Sequence, residues 1–181
     1  MKRRSLVMLA VGCTVFAARS ASAQIAEPAP GLGGSDTRGL ALGINLLGSS
    51  DPLGGLNHVP GLGLGVTAAY GVSNHVSVFA RGDVAYQTAN IEAGARYSFR
   101  GPEARLRPYV EGAITRTGIR FEGARLSGTG LTAGAGVQYF VRRNLALDVG
   151  LVHSEGRFTN GVLDGHGFST TRLNVGFRWH P

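Results

Sequence analysis

The sequence predicts an all-β fold, an eight-stranded antiparallel up-and-down transmembrane β-barrel with a polar lumen. Three observations lead to this prediction. Apolar and polar residues alternate with a period of two through most of the chain, as in strands with two unlike faces. Eight such segments occur, each about ten residues long, which is the length that a tilted strand needs to cross a bilayer. The polar face carries charges of both signs among glycines, which suits a crowded interior.

The N-terminus has the three parts of a secretory signal peptide. A basic start at residues 2–4 is followed by an apolar run at 6–18 and by the tripeptide ASA, an A-x-A cleavage site. The run of 13 residues is too short to cross a membrane as a helix. We therefore predict a signal peptide at 1–23, a flexible segment rich in Pro and Gly at 24–36, and the barrel domain at 37–181.

The charge balance of the mature chain excludes some partners. Four of the 18 basic residues belong to the predicted signal peptide, which leaves 14 against 11 acidic residues, a net charge of +3. This excess is too small to predict a nucleic-acid partner. The single cysteine, Cys13, lies in the signal peptide, so the mature chain has no thiol chemistry. Lipidation of Cys13, as in a lipoprotein, is an alternative to cleavage after Ala23.

The first four segments cover residues 39–46, 61–70, 76–87 and 90–99. In the first two, apolar residues such as Ile44 and Val66 alternate with small ones, mostly glycine. In the third and fourth, the residues opposite the apolar face include charged side chains. Each segment therefore predicts a strand with one lipid-compatible face and one polar face.

The last four segments cover residues 109–119, 131–139, 145–152 and 172–179. The fifth is less regular, with Val110 and Ile114 on the apolar side and Glu111 on the other. The remaining three alternate clearly, and the last reads "RLNVGFRW". No apolar period of 3.6 runs long enough in the mature chain to predict a helix.

The charged residues of these strands share the face opposite the apolar one. A soluble barrel of the lipocalin type would place apolar residues in its cavity, so this pattern favours a membrane barrel with a polar lumen. Four bases and four acids must then pair inside a narrow interior, with Gly134 and Gly136 leaving space for the long arginines. The predicted lumen charge network consists of Arg81, Asp83, Glu92, Arg96, Glu111, Asp148, Arg172 and Arg178.

Aromatic residues collect on the apolar face at the ends of the even-numbered strands. Such strands all end at the same membrane surface, so these residues predict a girdle at one interface, the periplasmic one if the N-terminus starts there. The predicted girdle consists of Tyr70, Tyr97, Phe99, Tyr139, Phe177 and Trp179.

The connections between strands predict which end carries the loops. We expect tight periplasmic turns near residues 73–74 and 142–144, and longer extracellular loops at 48–60, 120–127 and 155–167. Two connections depart from this pattern. The second outer loop, at 87–89, is very short, and the turn "RGPEARLR" is long for the periplasmic side.

Residues 37–179 resemble a known family. The stretches "VSVFARGDVAY", "GLTAGAGVQYFVRRNLALDVGL" and "LNVGFRW" are similar to strand-turn-strand units of the small eight-stranded outer-membrane barrels of the OmpA and OmpX kind. The resemblance implies an integral outer-membrane protein of a Gram-negative-type cell, with structural, adhesive or surface-interaction roles and no shared catalytic residues. It also implies recognition of a terminal aromatic residue by the barrel-insertion machinery, although here His180 and Pro181 follow Trp179.

Two other function classes stay open, a lipid A-modifying hydrolase and a narrow pore. His153, Ser154 and Glu155 have the residue types of a barrel-type lipid A deacylase, but neighbours on a strand point to opposite faces. We therefore predict no enzymatic activity. The glycines of "GLGLGV" lie on a strand with no helix after it, which argues against a dinucleotide site.

Cofactors and metals are not predicted, because the five histidines lie at separate loops and ends. The expected partners are membrane lipid and the insertion machinery, and we expect a monomer. Arginines near the outer rim are either solvated loop charges, as exposed charges usually are, or contacts for lipopolysaccharide phosphates, because a guanidinium matches phosphate oxygens bidentately. These arginines are Arg116, Arg120, Arg125 and Arg157.

Overall fold

The chain forms a closed barrel of eight antiparallel strands in sequence order. The computed structural model describes residues 35–50, 61–85, 88–121, 124–160 and 163–181. The predicted fold class and strand number are confirmed. The strands are β1 (Gly39–Ser49), β2 (Gly61–Gly71), β3 (Val76–Ala85), β4 (Thr88–Ser98), β5 (Leu106–Phe121), β6 (Ala124–Arg142), β7 (Leu145–Phe158) and β8 (Gly167–Trp179).

The barrel is apolar outside and polar inside, the reverse of a soluble core. Leu62, Ile91 and Leu131 are 84%, 68% and 71% exposed, whereas Arg172 inside the barrel is fully buried. This inversion follows from the sequence alternation, because successive side chains of a strand point to opposite faces. Lipid is the surrounding that such an outer face requires. Within the described residues, no helix is long and apolar enough to cross a membrane.

The two ends of the barrel differ in their connections. At one end, here called the turn end, lie the β2–β3, β4–β5 and β6–β7 connections and the last strand's end at Trp179. At the opposite end, here called the loop end, lie the other four connections. The β1–β2 loop at residues 51–60 falls outside the described residues, as do the predicted signal peptide and most of the predicted flexible segment.

The prediction of a long loop at residues 120–127 is wrong. β5 and β6 continue as a paired ladder through Arg120 opposite Arg125 and Phe121 opposite Ala124. Likewise β7 continues to Phe158, which shortens the loop predicted at 155–167, and β8 begins at Gly167 rather than at Arg172. The reason is physical: above the lipid, a strand keeps its backbone hydrogen bonds but no longer needs an apolar outer face. The alternation therefore ends before the strand does.

These extensions make the barrel wall uneven. β5 and β6 share 16 register pairs, whereas β1 and β8, which close the barrel, share eight. The wall formed by β5 to β8 consequently rises above the wall formed by β1 to β4 at the loop end.

Candidate functional site

The eight predicted lumen charges form one continuous chain in which acids and bases alternate. The ion pairs link them in the order Asp83, Arg172, Glu92, Arg81, Glu111, Arg96, Asp148 and Arg178. Five different strands contribute these residues, so the chain connects opposite walls of the barrel. Such an alternation gives every interior member two neighbours of opposite charge.

The first half of this acid–base chain lies nearer the loop end. Arg172 reaches across the lumen from β8 and bonds the carboxylates of both Asp83 and Glu92, and its Nη2 also donates to Ser154 Oγ at 3.0 Å. Arg81 donates from Nε to Glu92 Oε2 at 2.8 Å. Glu92 therefore receives two guanidinium groups, one from each side.

The second half lies nearer the turn end. Arg81 Nη1 is 3.0 Å from Glu111 Oε1, and Arg96 Nη2 donates to Glu111 Oε2 at 2.7 Å. Arg96 Nη1 donates to Asp148 Oδ2 at 2.6 Å, and Arg178 Nη2 is 3.2 Å from the same oxygen. One carboxylate, that of Asp148, thus serves two arginines.

Burial makes this pairing necessary. None of the eight residues is more than 7% exposed. An isolated charge that moves out of water costs several kcal/mol, even after the protein relaxes. Only an opposite charge and hydrogen bonds compensate this cost. The alternating order supplies that compensation along the acid–base chain.

A ninth charge, Arg107, was missed by sequence reasoning. Its side chain is 1% exposed and donates to the carbonyl oxygens of Ser35 and Pro102 at 2.7 Å each. Its guanidinium also lies over the Phe140 ring, 4.3 Å from the centroid. The sequence pattern placed Arg107 in a turn. However, Arg107 and Glu111 are an even number of residues apart on β5, so their side chains face the same side, and this spacing could have indicated that Arg107 points inward.

Tyr109 is a second interior residue that sequence reasoning did not assign. Its hydroxyl donates to Asp148 Oδ1 at 2.6 Å, and the guanidinium of Arg96 lies 3.6 Å from its ring centroid. A Cβ at Gly136 or Gly150 would lie 2.5 Å from the Tyr109 hydroxyl oxygen. The expectation that lumen glycines make space for arginines is therefore wrong for Gly136, which makes space for Tyr109 instead.

Gly134 likewise faces a carboxylate side chain and not an arginine. A Cβ at this position would lie 3.1 Å from Glu111 Cγ. Small residues on β6 thus accommodate the β5 side chains directly beside them, because the lumen is too narrow for two large neighbours on adjacent strands.

An apolar cluster is buried inside the barrel toward the loop end. Ile119, Leu126, Phe158 and Phe168 point inward and are at most 4% exposed, and Leu163 of the β7–β8 connection packs against them. The rings of Phe158 and Phe168 are 5.5 Å apart. We call this group the apolar cap. It arises because β5 to β8 extend above the lipid and fold their inner faces together.

His180 closes the turn end. Its backbone N–H donates to Asn144 O at 2.8 Å, and its ring lies 5.6 Å from the Phe140 ring. The pKa of His180 is lowered to about 4, chiefly because burial disfavours the imidazolium and also because Arg178 and Arg107 are near. A small cavity of about 20 Å³, enough for one water, lies between His180, Arg178 and Arg96.

The six predicted girdle residues all lie on the outer face at the turn end. Each is between 41% and 57% exposed. Tyr97 and Phe99 contact each other edge to face at a centroid distance of 5.4 Å. Their common level follows from the topology, because β2, β4, β6 and β8 all end on this side.

The residues weighed as a hydrolase triad do not come together. Ser154 is buried in the lumen, where it bonds Thr132 Oγ1 at 2.8 Å and accepts from Arg172. His153 lies on the outer face, 2.9 Å from Thr171 Oγ1 and 3.2 Å from Glu155 Oε1. His153 therefore cannot activate Ser154. Among the residues that the structure describes, no three metal-ligating side chains gather into a metal site.

Three solved structures have a fold similar to that of this chain, and one of them is an outer membrane protein. The N-terminal β-barrel domain of Pseudomonas aeruginosa OprF is 20% identical, with a TM-score of 0.56 over 77% of this chain and 97% of that chain. Neisserial surface protein A is 19% identical, with a TM-score of 0.57 over 78% and 96%. OprG of Pseudomonas aeruginosa is 12% identical, with a TM-score of 0.55 over 83% and 100%.

Sequence comparison adds no closer relative. No family model and no curated protein matches the chain. The closed barrel of eight strands, the apolar outer face and these solved structures agree with one another. The chain therefore has the fold of the small eight-stranded outer-membrane β-barrels.

Proposed function

We propose that the protein is an integral outer-membrane barrel with a structural or surface-interaction role and a lumen closed to ions. The observation that supports it best is the acid–base chain, because eight buried and mutually paired charges occupy the interior of the barrel. The apolar cap and His180 add a barrier at each end. Export through a signal peptide cleaved after Ala23 belongs to the same proposal.

The closed lumen separates this function from a narrow pore. Purified protein is reconstituted in planar bilayers, and we expect no steady conductance above that of the protein-free membrane. A reproducible large conductance from the wild type would overturn the closed lumen and favour the pore.

The absence of enzymatic activity is part of the proposal. It is supported by the separation of His153 from Ser154 on opposite faces of β7. Incubation with lipid A should release no fatty acid. Release that persists in a Ser154→Ala variant and disappears in His153→Asn would reveal a different catalytic group on the outer face.

Cell fractionation tests the location. We expect the protein in the outer-membrane fraction of a Gram-negative host, with a gel mobility that changes on heating. N-terminal sequencing should begin at Gln24, whereas lipid attached to Cys13 would identify a lipoprotein.

A further inference from the structure

The outer face of the barrel has different chemistry at its two ends. At the turn end the girdle supplies aromatic side chains. At the loop end, within the part of the wall whose exposure is described, no aromatic side chain is exposed, and Arg116, Arg120 and Arg157 occupy the corresponding level. An interface with aromatic anchors suits zwitterionic or mixed lipid, whereas exposed guanidinium groups suit anionic head groups.

Two of these arginines lie on one row of the sheet. Arg116 on β5 is opposite Thr129 on β6, and Thr129 is opposite Arg157 on β7. Two strand spacings separate the arginines, about 10 Å between their Cα atoms. Directly below, toward the turn end, Ile114 and Leu131 form an exposed apolar pair. The row therefore sits where the apolar surface ends. We call Arg116, Thr129 and Arg157 the rim row.

The rim row has a net positive charge. In the described ranges, no ion pair involves Arg116 or Arg157. The acidic residue nearest to Arg157 in sequence, Glu155, is exposed on the row below, opposite Leu131, with its Oε1 3.2 Å from His153 Nε2. Arg120 lies four residues further along β5, also exposed. The side chain of Arg125, the fourth predicted rim arginine, lies outside the described residues.

We propose that the rim row binds the two phosphates of a lipid A molecule, whose acyl chains cover Ile114 and Leu131. This inference rests on the proposed outer-membrane location. Lipid A carries a phosphate at each end of a disaccharide, so one molecule can reach both guanidinium groups while its acyl chains contact the apolar rows beneath. Arginine suits this role because its planar fork bonds phosphate oxygens in pairs. A phospholipid with a single phosphate satisfies only one of the two arginines.

The test compares lipids and variants on full-length refolded protein. Binding of lipid A with two phosphates, lipid A with one phosphate, phosphatidylglycerol and cardiolipin is measured in detergent by native mass spectrometry. We expect wild type to prefer lipid A with two phosphates. The double variant Arg116→Gln/Arg157→Gln should lose about tenfold in affinity for it, the loss of about 1.4 kcal/mol. The matched control is Arg142→Gln/Arg143→Gln, which removes two exposed charges at the turn end and should change nothing.

Each outcome has one meaning. Equal affinity in the wild type and the rim variant overturns the inference, as does equal or tighter binding of cardiolipin or phosphatidylglycerol by the wild type. If the rim variant does not refold, the wild-type ranking of the four lipids decides. Failure of the protein to reach the outer-membrane fraction is a separate result, which contradicts the proposed function itself.

Discussion

At the residue scale, the lumen shows how buried charges become tolerable. Glu92 and Glu111 each contact two arginines, and Asp148 contacts two arginines and a tyrosine hydroxyl. No charge inside the acid–base chain depends on a single partner. Removing a residue from the middle of the chain therefore leaves more than one group uncompensated.

Asp148→Ala tests this dependence. The substitution removes the shared acceptor of Arg96 and Arg178 and the partner of the Tyr109 hydroxyl. We expect the free energy of unfolding to fall by about 3 kcal/mol, because the remaining charges stay buried. Urea unfolding in phospholipid vesicles measures it. Asp36→Ala is the control: Asp36 pairs with Arg38 at the surface, and its loss should leave the unfolding midpoint unchanged.

His180 gives the stability a pH dependence. Its pKa is about 4 in the folded protein and about 6.5 in the unfolded chain, so the unfolded chain alone binds a proton between these values. The contribution is complete above pH 6.5 and is lost as pH falls toward about 4.

Comparison with His180→Gln isolates this effect from the titration of lumen carboxylates. Unfolding is measured for both proteins at intervals from pH 7 to about pH 4. The wild type should lose more stability than the variant across this window. If the stability of the two proteins changes with pH in the same way, His180 has the same pKa in the folded and unfolded states, which contradicts this prediction.

At the element scale, the sequence pattern predicted the strands wherever lipid touches them. Val76 to Val84 and Leu145 to Leu151 alternate because one face meets acyl chains and the other the lumen. The pattern failed where that constraint ends. Residues 120–121 and 124–127 continue the ladder without a regular apolar alternation, so the sequence signal there was that of a loop.

The candidate site was predictable to a similar extent. Within each strand, the charged residues alternate with the apolar ones and so lie on the opposite face. The sequence could therefore place all eight charges in the lumen. Their order could not be predicted, because it depends on how far each long side chain reaches across the barrel. Arg107 and the apolar cap were missed since both lie beyond the regular part of their strands.

Gly136→Ala tests the fit between β5 and β6. The new methyl group would lie 2.4 Å from Val149 O and 2.5 Å from the Tyr109 hydroxyl oxygen, so Tyr109 must move away from Asp148. We expect a loss of about 1–3 kcal/mol in unfolding free energy, the usual effect of overpacking. Gly112→Ala is the matched control on β5, where a Cβ meets nothing closer than Thr132 O at 3.9 Å. Equal stability of the two variants would contradict the assigned role of Gly136.

At the scale of the whole molecule, the closed lumen that we propose has more than one barrier. The apolar cap, the acid–base chain and His180 form three successive barriers from the loop end to the turn end. Loss of one barrier should therefore affect stability before it affects conductance.

Phe158→Ala combined with Phe168→Ala tests this redundancy. The double variant removes both rings of the apolar cap, and we expect it to unfold at lower urea, since each buried Phe→Ala change typically costs about 3–5 kcal/mol. In planar bilayers it should remain non-conducting, because the acid–base chain is intact. A conducting double variant would assign the seal to the apolar cap alone.

The position of Arg172 affects how the barrel assembles. Its carboxylate partners Asp83 and Glu92 lie 89 and 80 residues earlier in the chain, on strands that are complete long before β8 is. Until the last strand joins the first along their eight register pairs, those carboxylates lack Arg172 and have only Arg81, which bonds Glu92 and lies 3.9 Å from Asp83. An open sheet therefore has incompletely compensated charges, and the short seam between β1 and β8 gains stability from contacts that Arg172 makes elsewhere in the lumen. Ring closure and completion of the acid–base chain are thus coupled.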